Sequence, residues 1–307
     1  MEGILPLFKP AGLTSHDCVF KIRKILKTKK VGHTGTLDPD VTGVLPICVG
    51  RATKIAEYIT DAGKAYEGEV TLGYSTTTED ASGEIVESKK IDSILSREVI
   101  EKVLASFLGE IQQTPPMYSA VKVNGKRLYE YARKGIEVER PTRTVTIYSI
   151  ELLDERDEFF GETISFRFRV TCSKGTYIRT LAVMIGEKLG IPAHMSKLSR
   201  TQSSSFKIED CFTIEEVEQL MTSGEIGKAL FPLEVGISHL PKLKISDKVA
   251  EKVKNGALLP IPNQFTELNG PIIVETENGQ ALAIYMKHPS KPSFLKPSKV
   301  LRNDSLE

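Results

Sequence analysis

The sequence predicts an α+β protein, with a large mixed or antiparallel sheet flanked by helices and a small β-rich unit toward the C-terminal end. Three observations predict it. Residues 65–73, 143–153 and 164–172 alternate apolar with polar, the period of a strand with one buried face. Strands of a doubly wound parallel sheet run continuously apolar instead. Between these stretches, apolar residues recur at helical spacing, which supplies helices to cover the sheet. Beyond Pro232 and Pro241 the alternation resumes at 272–276 and 281–286 around Asn278-Gly279, a tight-turn pair. The expected division is a large domain at 1–235 and a small one at 240–307.

Taken in order, Thr14-Ser15 followed by His16-Asp17 reads as an N-cap and first turn. Val19, Ile22, Ile25 and Leu26 then share a face, and Lys27, Lys29 and Lys30 fall where cations favour a helix C-terminus. A glycine-rich loop leads to an apolar strand at 44–49 and a short helix through Ile55 and Tyr58. Residues 75–84 read as a polar loop. Ser96 caps a helix with Val99, Ile100, Val103, Leu104, Phe107 and Leu108 inward. A strand at 118–123 is expected to meet a turn at Asn124-Gly125. Thr176 is expected to open a helix carrying Leu181, Met184, Ile185 and Leu189. Thr213 with Glu216 forms a capping box for another.

The 307 residues, 40% hydrophobic and 26% charged, suit an ordinary globular protein. No apolar run approaches the roughly 18 residues that cross a bilayer, and the Pro-containing N-terminus does not read as a signal peptide. No membrane association is expected. Cys18, Cys48, Cys172 and Cys211 are scattered without a Cys-x-x-Cys pair, which predicts neither a zinc ribbon nor a disulfide framework and fits the cytoplasm. Net charge is only +1, but the charges are segregated. Eight Lys or Arg lie between Lys21 and Lys54 against Asp38 and Asp40, and seven between Lys122 and Arg143 against three Glu. The tail from Lys287 to Arg302 carries five and no acid. Such segregation is a footprint for a polyanion, although solvated helix faces produce basic runs too.

Residues 32–50 hold one acid, Asp38, in a loop dense in Gly, Thr and Pro. Gly32, Gly35 and Gly43 are read as positions of unusual backbone conformation, and Pro39 stiffens the chain after the acid. A carboxylate presented this way can be a nucleophile, a base or a ligand. The plainer alternative is an Asx-type turn, for which Asp-Pro is a common dipeptide.

Further blocks accompany the loop: Lys9-Pro10-x-Gly12-x-Thr14-Ser15-His16, Gly50-Arg51-Ala52-Thr53-Lys54, Lys64-Ala65-Tyr66, Pro115 to Lys122, Cys172 to Ala182, and Leu198-Ser199-Arg200-Thr201. In this order they resemble the bacterial TruB family, the tRNA pseudouridine synthases B, over roughly residues 3–212. The resemblance implies a pseudouridine synthase catalytic domain, a small PUA-like RNA-binding module after it, and isomerisation of uridine 55 in the tRNA T-arm. It implies no cofactor and no metal. Asp38 would be the nucleophile and Arg179 its cationic partner, since a guanidinium holds a carboxylate bidentately and stays charged when buried. Arg179 also reads as a structural ion pair, but a cation early in a helix gains nothing from the helix dipole. Tyr66 and Tyr177 would stack on the uracil, with Tyr66 able to move a proton, and Leu198 would wall the pocket. His33 would fill the place that the extruded uridine leaves. Lys9, Lys21, Arg23, Lys24, Lys27, Lys29 and Lys30 are candidates for phosphate contact.

Other classes remain open on sequence alone. An RNA-binding or tRNA-folding protein with a vestigial site would show the same basic segments. A metal-free hydrolase lacks a second carboxylate or His at motif spacing. A relative of dyskerin would need a guide RNA, and the blocks resemble the stand-alone bacterial form more. A monomer acting on tRNA without a guide is the expectation.

Overall fold

Thr14 caps the first helix, Ser15–Ile25, in a computed structural model that describes residues 1–303. Its Oγ1 accepts from the Asp17 amide (3.0 Å), and the Asp17 carboxylate accepts from the Thr14 amide in return (2.9 Å). Cys18, Val19 and Ile22 bury one side of this helix. Among the described residues no helix is long and apolar enough to cross a membrane.

The chain groups into two compact units. The first takes Met1–Pro39, Val44–Ala62 and the chain from Ser203 onward. Here strand Gly3–Lys9 neighbours the strand Thr42–Val49, which also pairs antiparallel with Val31–His33. Ile4, Val44, Cys48, Ile55 and Ile59 share a core with Leu233, Ile237, Ile273 and Ile284. The five-stranded sheet of the C-terminal part runs in the order 242–245, 272–276, 281–287, 294–300, 259–260. It has a second core of its own, centred on Val253, Val274, Leu282, Tyr285 and Leu295. The module expected at 240–307 therefore contains this sheet, and its last four residues lie outside those described. Its strands at 272–276 and 281–285 are buried on both faces rather than alternating. A helix, Asp247–Lys254, contributes Ala250 and Val253 to that core, and other elements of the unit cover the remaining face.

The second unit comprises Asp40–Gly43 and Gly63–Gln202. Its sheet runs from residues 42–43 through Ala193–Ser203, Lys64–Leu72, Ile164–Cys172 and Arg143–Leu152 to Gly109–Gln113. The last four of these pair antiparallel in succession, while Thr42 and Gly43 run parallel to Ser199 and Arg200. The mixed, largely antiparallel α+β architecture is the one the alternation predicted. Phe166, Phe168 and Val170 are fully buried, whereas Arg167 and Arg169 are exposed. Arg169 grips Glu67 through two nitrogens (3.1 and 2.7 Å) and Glu151 through a third (2.8 Å), tying three strands on the wet face.

Several sequence expectations need correction. Val99 and Leu108, placed inward, are 44% and 52% exposed, because helix Arg97–Ala105 needs only Ile100 and Leu104 to cover its share of the sheet. The strand expected at 118–123 shrinks to Lys122–Val123 beside the Asn124-Gly125 turn. The helix expected from Thr176 starts at Ile178, since Thr176 Oγ1 closes a turn onto Ser173 O (2.9 Å) instead of capping. Strands Gly3–Lys9 and Ala193–Ser203 carry no clean alternation and escaped the sequence reading. The second is central in its sheet despite its polar composition. Ser196 Oγ accepts from Thr71 Oγ1 (2.8 Å) and donates to the Glu69 carboxylate (2.8 Å), so its polar side chain is satisfied.

Candidate active site

Asp38 sits in the first unit on a loop whose backbone is pinned on both sides. Before it, the Leu37 amide donates to Ser15 Oγ (2.8 Å), and the same hydroxyl donates to Leu37 O (3.1 Å). After it, Pro39 O accepts from the Gly12 amide (3.0 Å) and from Lys9 Nζ (2.8 Å). Thr34, one residue beyond His33, is fixed to Pro46 O through both its amide and its hydroxyl (3.1 and 3.2 Å). The result is a half-buried Asp38 carboxylate on a loop with little freedom, and a half-buried imidazole, His33, at the end of the strand Val31–His33 that leads into it. Gly35 has a positive φ of 103°, as expected, whereas Gly32 lies in the strand Val31–His33 without one.

Lys9 corrects the sequence reading. It is completely buried, and its ammonium donates to Pro10 O and Pro39 O, so it braces the loop and is withheld from an RNA phosphate. Arg23 also serves the fold, donating to Val31 O (2.8 Å). Lys21, Lys24, Lys27, Lys29 and Lys30 are exposed.

The second unit carries the other expected residues. Arg179 lies in the first turn of helix Ile178–Leu189 and is 5% exposed. Its Nη1 donates to Thr78 O (3.0 Å) and lies 3.5 Å from the Asp80 carboxylate, and its Nη2 donates to Tyr118 O (2.8 Å). A buried cation with this many acceptors is held in one orientation. Tyr177 is the N-cap residue of the same helix and makes no side-chain cap. The buried Gln113 amide substitutes, accepting from Tyr177 N (3.0 Å) and donating to Tyr177 O (3.2 Å). The Arg143 guanidinium lies 5.9 Å from the centre of the Tyr177 ring. Tyr66 is buried on strand Lys64–Leu72 opposite Val170.

Leu198 lines a 520 Å³ cavity together with Asp40, Thr42, Gly68, Glu69 and Ser199. Two glycines are required by close approach here. A Cβ on Gly68 would come within 3.2 Å of Leu198 Cδ1, and one on Gly43 within 2.2 Å of Arg200 O. Tyr66, Tyr177 and Arg179 do not line this cavity. The structure thus brings Tyr177 and Arg179 together on one helix start and sets Leu198 against Gly68, two residues from Tyr66.

Sequence reasoning missed the loop that holds Arg179. Asp80 Oδ1 accepts from Thr78 Oγ1 (2.6 Å), Ser82 N (3.0 Å) and Ser82 Oγ (2.6 Å), which shapes residues 78–82. Between Thr78 and Asp80, the two partners of Arg179 in this loop, stands Glu79, at φ 63°, a left-handed conformation that costs a non-glycine residue about 1 kcal/mol. Its carboxylate accepts from Thr180 Oγ1 (2.7 Å). The available signal was a run of hydroxyls around two acids, read only as a polar loop.

Burial pushes the Glu79 carboxyl above the usual range, against the opposing pull of the Thr180 bond and the Arg179 and Arg140 charges. A raised carboxyl pKa means that the fold binds the proton better than the unfolded chain does. Its stabilising contribution is present below the ordinary carboxylate pKa and is lost as pH rises through the raised value. Glu79→Gln keeps the acceptor for Thr180 and removes the buried charge. It is expected to raise the melting temperature at pH 7.5 and to leave it nearly unchanged at pH 4. Equal shifts at both pH values would contradict the assignment.

With this geometry in hand, the comparisons with known proteins decide the family. Residues 23–178 match the TruB family pseudouridylate synthase N-terminal domain, and residues 179–238 match the tRNA pseudouridylate synthase B C-terminal domain. The chain belongs to the TruB family of pseudouridylate synthases. It is 63% identical to the tRNA pseudouridine synthase B of Geobacillus thermodenitrificans, over 98% of this chain and 100% of that protein. It is 61% identical to the one from Bacillus subtilis, over 99% of each. Among solved structures, a Cbf5-Nop10-Gar1 complex contains a chain matching 98% of this one, with a TM-score of 0.76 and 31% identity over 85% of that chain. The TruB membership accounts for the α+β sheet and for the order of the blocks around Asp38, Tyr66, Tyr177 and Leu198.

Proposed function

We propose that the chain converts uridine 55 of the tRNA T-arm into pseudouridine, acting as a monomer in the cytoplasm without a guide RNA. The observation that carries this reading is the match, over nearly the whole length of both chains, to relatives named tRNA pseudouridine synthase B. The Cbf5 neighbour, by contrast, extends beyond what this chain covers.

In the reaction the N1–C1′ bond breaks and a C5–C1′ bond forms, while C5 loses a proton and N1 gains one. No electrons are gained or lost, so no redox cofactor is called for. Asp38 acts as the nucleophile toward the nucleoside and must be ionised to do so, with Arg179 as the cation that keeps it so. Pinning Leu37 and Pro39 through their backbone fixes the stretch of chain that presents the Asp38 carboxylate. Extruding the uridine costs a few kcal/mol, which His33 offsets by occupying the vacated place. Tyr66 and Tyr177 offer aromatic faces to the uracil, Tyr66 moves a proton, and Leu198 closes the pocket wall. The C-terminal module adds RNA contact. In its basic tail, Arg302 is already engaged by Glu234, Lys299 by Glu57 and Lys287 by Thr266 O and Asn269, which leaves the exposed Lys291 and Lys296 as the candidates there.

Two experiments test the reading. After incubation of purified protein with a tRNA transcript, carbodiimide-dependent reverse-transcription stops should appear at uridine 55 and at no other uridine. Stops elsewhere, or none, would overturn it. Replacing Lys27, Lys29 and Lys30 together with Ala should weaken tRNA binding and reduce the slope of log affinity against log salt by about 2. An unchanged slope would remove that basic segment from the interface.

A further inference from the structure

Phe20 is a large apolar side chain that neither the core nor the Asp38 loop uses. It is 53% exposed, although its helix neighbours Cys18, Val19 and Ile22 are buried. His16, Phe20 and Lys24 follow at four-residue intervals, so they form one stripe along the helix surface, and all three are exposed. Lys24 Nζ stands 4.5 Å from the centre of the Phe20 ring, and the exposed Lys21 and Lys27 lie beside the stripe. An exposed aromatic face with cations toward the C-terminal end of its helix, and the capping Asp17 as the acid on its other side, is complementary to a polyanion that also carries flat apolar faces. Unpaired RNA has both, as phosphates and as bases. A second copy of this chain would bring its own basic face and be repelled.

The helix is mechanically tied to the candidate catalytic loop. Ser15, at its start, holds both backbone groups of Leu37. Phe20 follows five residues later, which is about 7.5 Å along the axis, or roughly two base steps. We infer that Phe20 is a stacking platform for an unpaired base of the substrate RNA close to the extruded uridine, with Lys24 passing from the ring to a phosphate on binding. This rests on the tRNA reading above and adds to it a contact made by shape and apolar surface instead of by charge.

The chain contains no tryptophan, so Phe20→Trp introduces a sole indole reporter. That variant should bind tRNA within about threefold of the parent, and its emission should be quenched by tRNA as a base stacks on it. Phe20→Leu should weaken tRNA binding about tenfold with an unchanged salt slope, because no charge is removed. Melting curves of both variants should match the parent, since the side chain is at the surface. Leucine-variant binding within twofold of the parent, or indole emission unchanged at saturating tRNA, would overturn the inference. So would equal quenching by anionic lipid vesicles, which would assign the stripe to a membrane surface. Pseudouridine formation by the parent protein in the same tRNA is measured alongside. Its absence would strike the underlying reading and not the stacking contact alone.

Discussion

Asp38→Asn is expected to lower pseudouridine formation by at least about three orders of magnitude while tRNA affinity stays within a few-fold. The substitution is nearly isosteric, and the anchors of the loop do not depend on it. Ser15, Gly12 and Lys9 hold the backbone of Leu37 and Pro39, not the Asp38 side chain. What is lost is the negative oxygen that attacks, and an amide does not replace it. Nucleoside analysis of fully digested tRNA gives the product, and filter binding gives the affinity. Appreciable product from the variant would remove Asp38 as nucleophile. Loss of binding in parallel with product would show that the side chain holds RNA instead.

Arg179→Lys is expected to reduce kcat by about a hundredfold or more, with a smaller change in KM. The guanidinium bonds Thr78 O and Tyr118 O from two different nitrogens and faces Asp80 as well. A lysine ammonium is a compact point charge on a flexible stem and does not span those acceptors in one fixed orientation. Arg179→Ala should do more, because it takes the guanidinium donor from the Thr78 and Tyr118 carbonyls and the nearby cation from Asp80. That variant is expected to lose about 3 kcal/mol of stability as well as activity. The lysine variant separates the two effects: near-parental melting with low kcat supports an electrostatic role in the reaction. A lysine variant with parental kcat would reduce Arg179 to a structural ion pair.

The parts of this protein that were legible in its sequence are those where one local rule governs. Thr14 caps its helix and Thr213 with Glu216 forms a capping box where the sequence placed them, because caps are settled within four residues. The strand Ile164–Cys172 alternates as read, because one face is buried and the other meets water. Legibility failed where distant partners decide. Strand Ala193–Ser203 is made a central strand by polar side chains that find Thr71 and Glu69, and no window along the sequence contains those partners. Lys9 reads as a surface cation until the fold wraps Pro10 and Pro39 carbonyls around it. The acids Glu79 and Asp80 acquire their roles only when residues 179 and 180 arrive from a hundred positions away. For the candidate site, motif order carried the residues, and the geometry added the supports.

The most direct test of the account uses a T-arm hairpin labelled with tritium at uridine C5, the atom that forms the new bond. Purified protein alone should release one tritium per hairpin from the single target uridine. Unrelated stem-loops should release none, and the Asp38→Asn protein should release none from any RNA. Failure of the parent protein on both hairpin and full tRNA, or release by the Asp38→Asn protein, would contradict it.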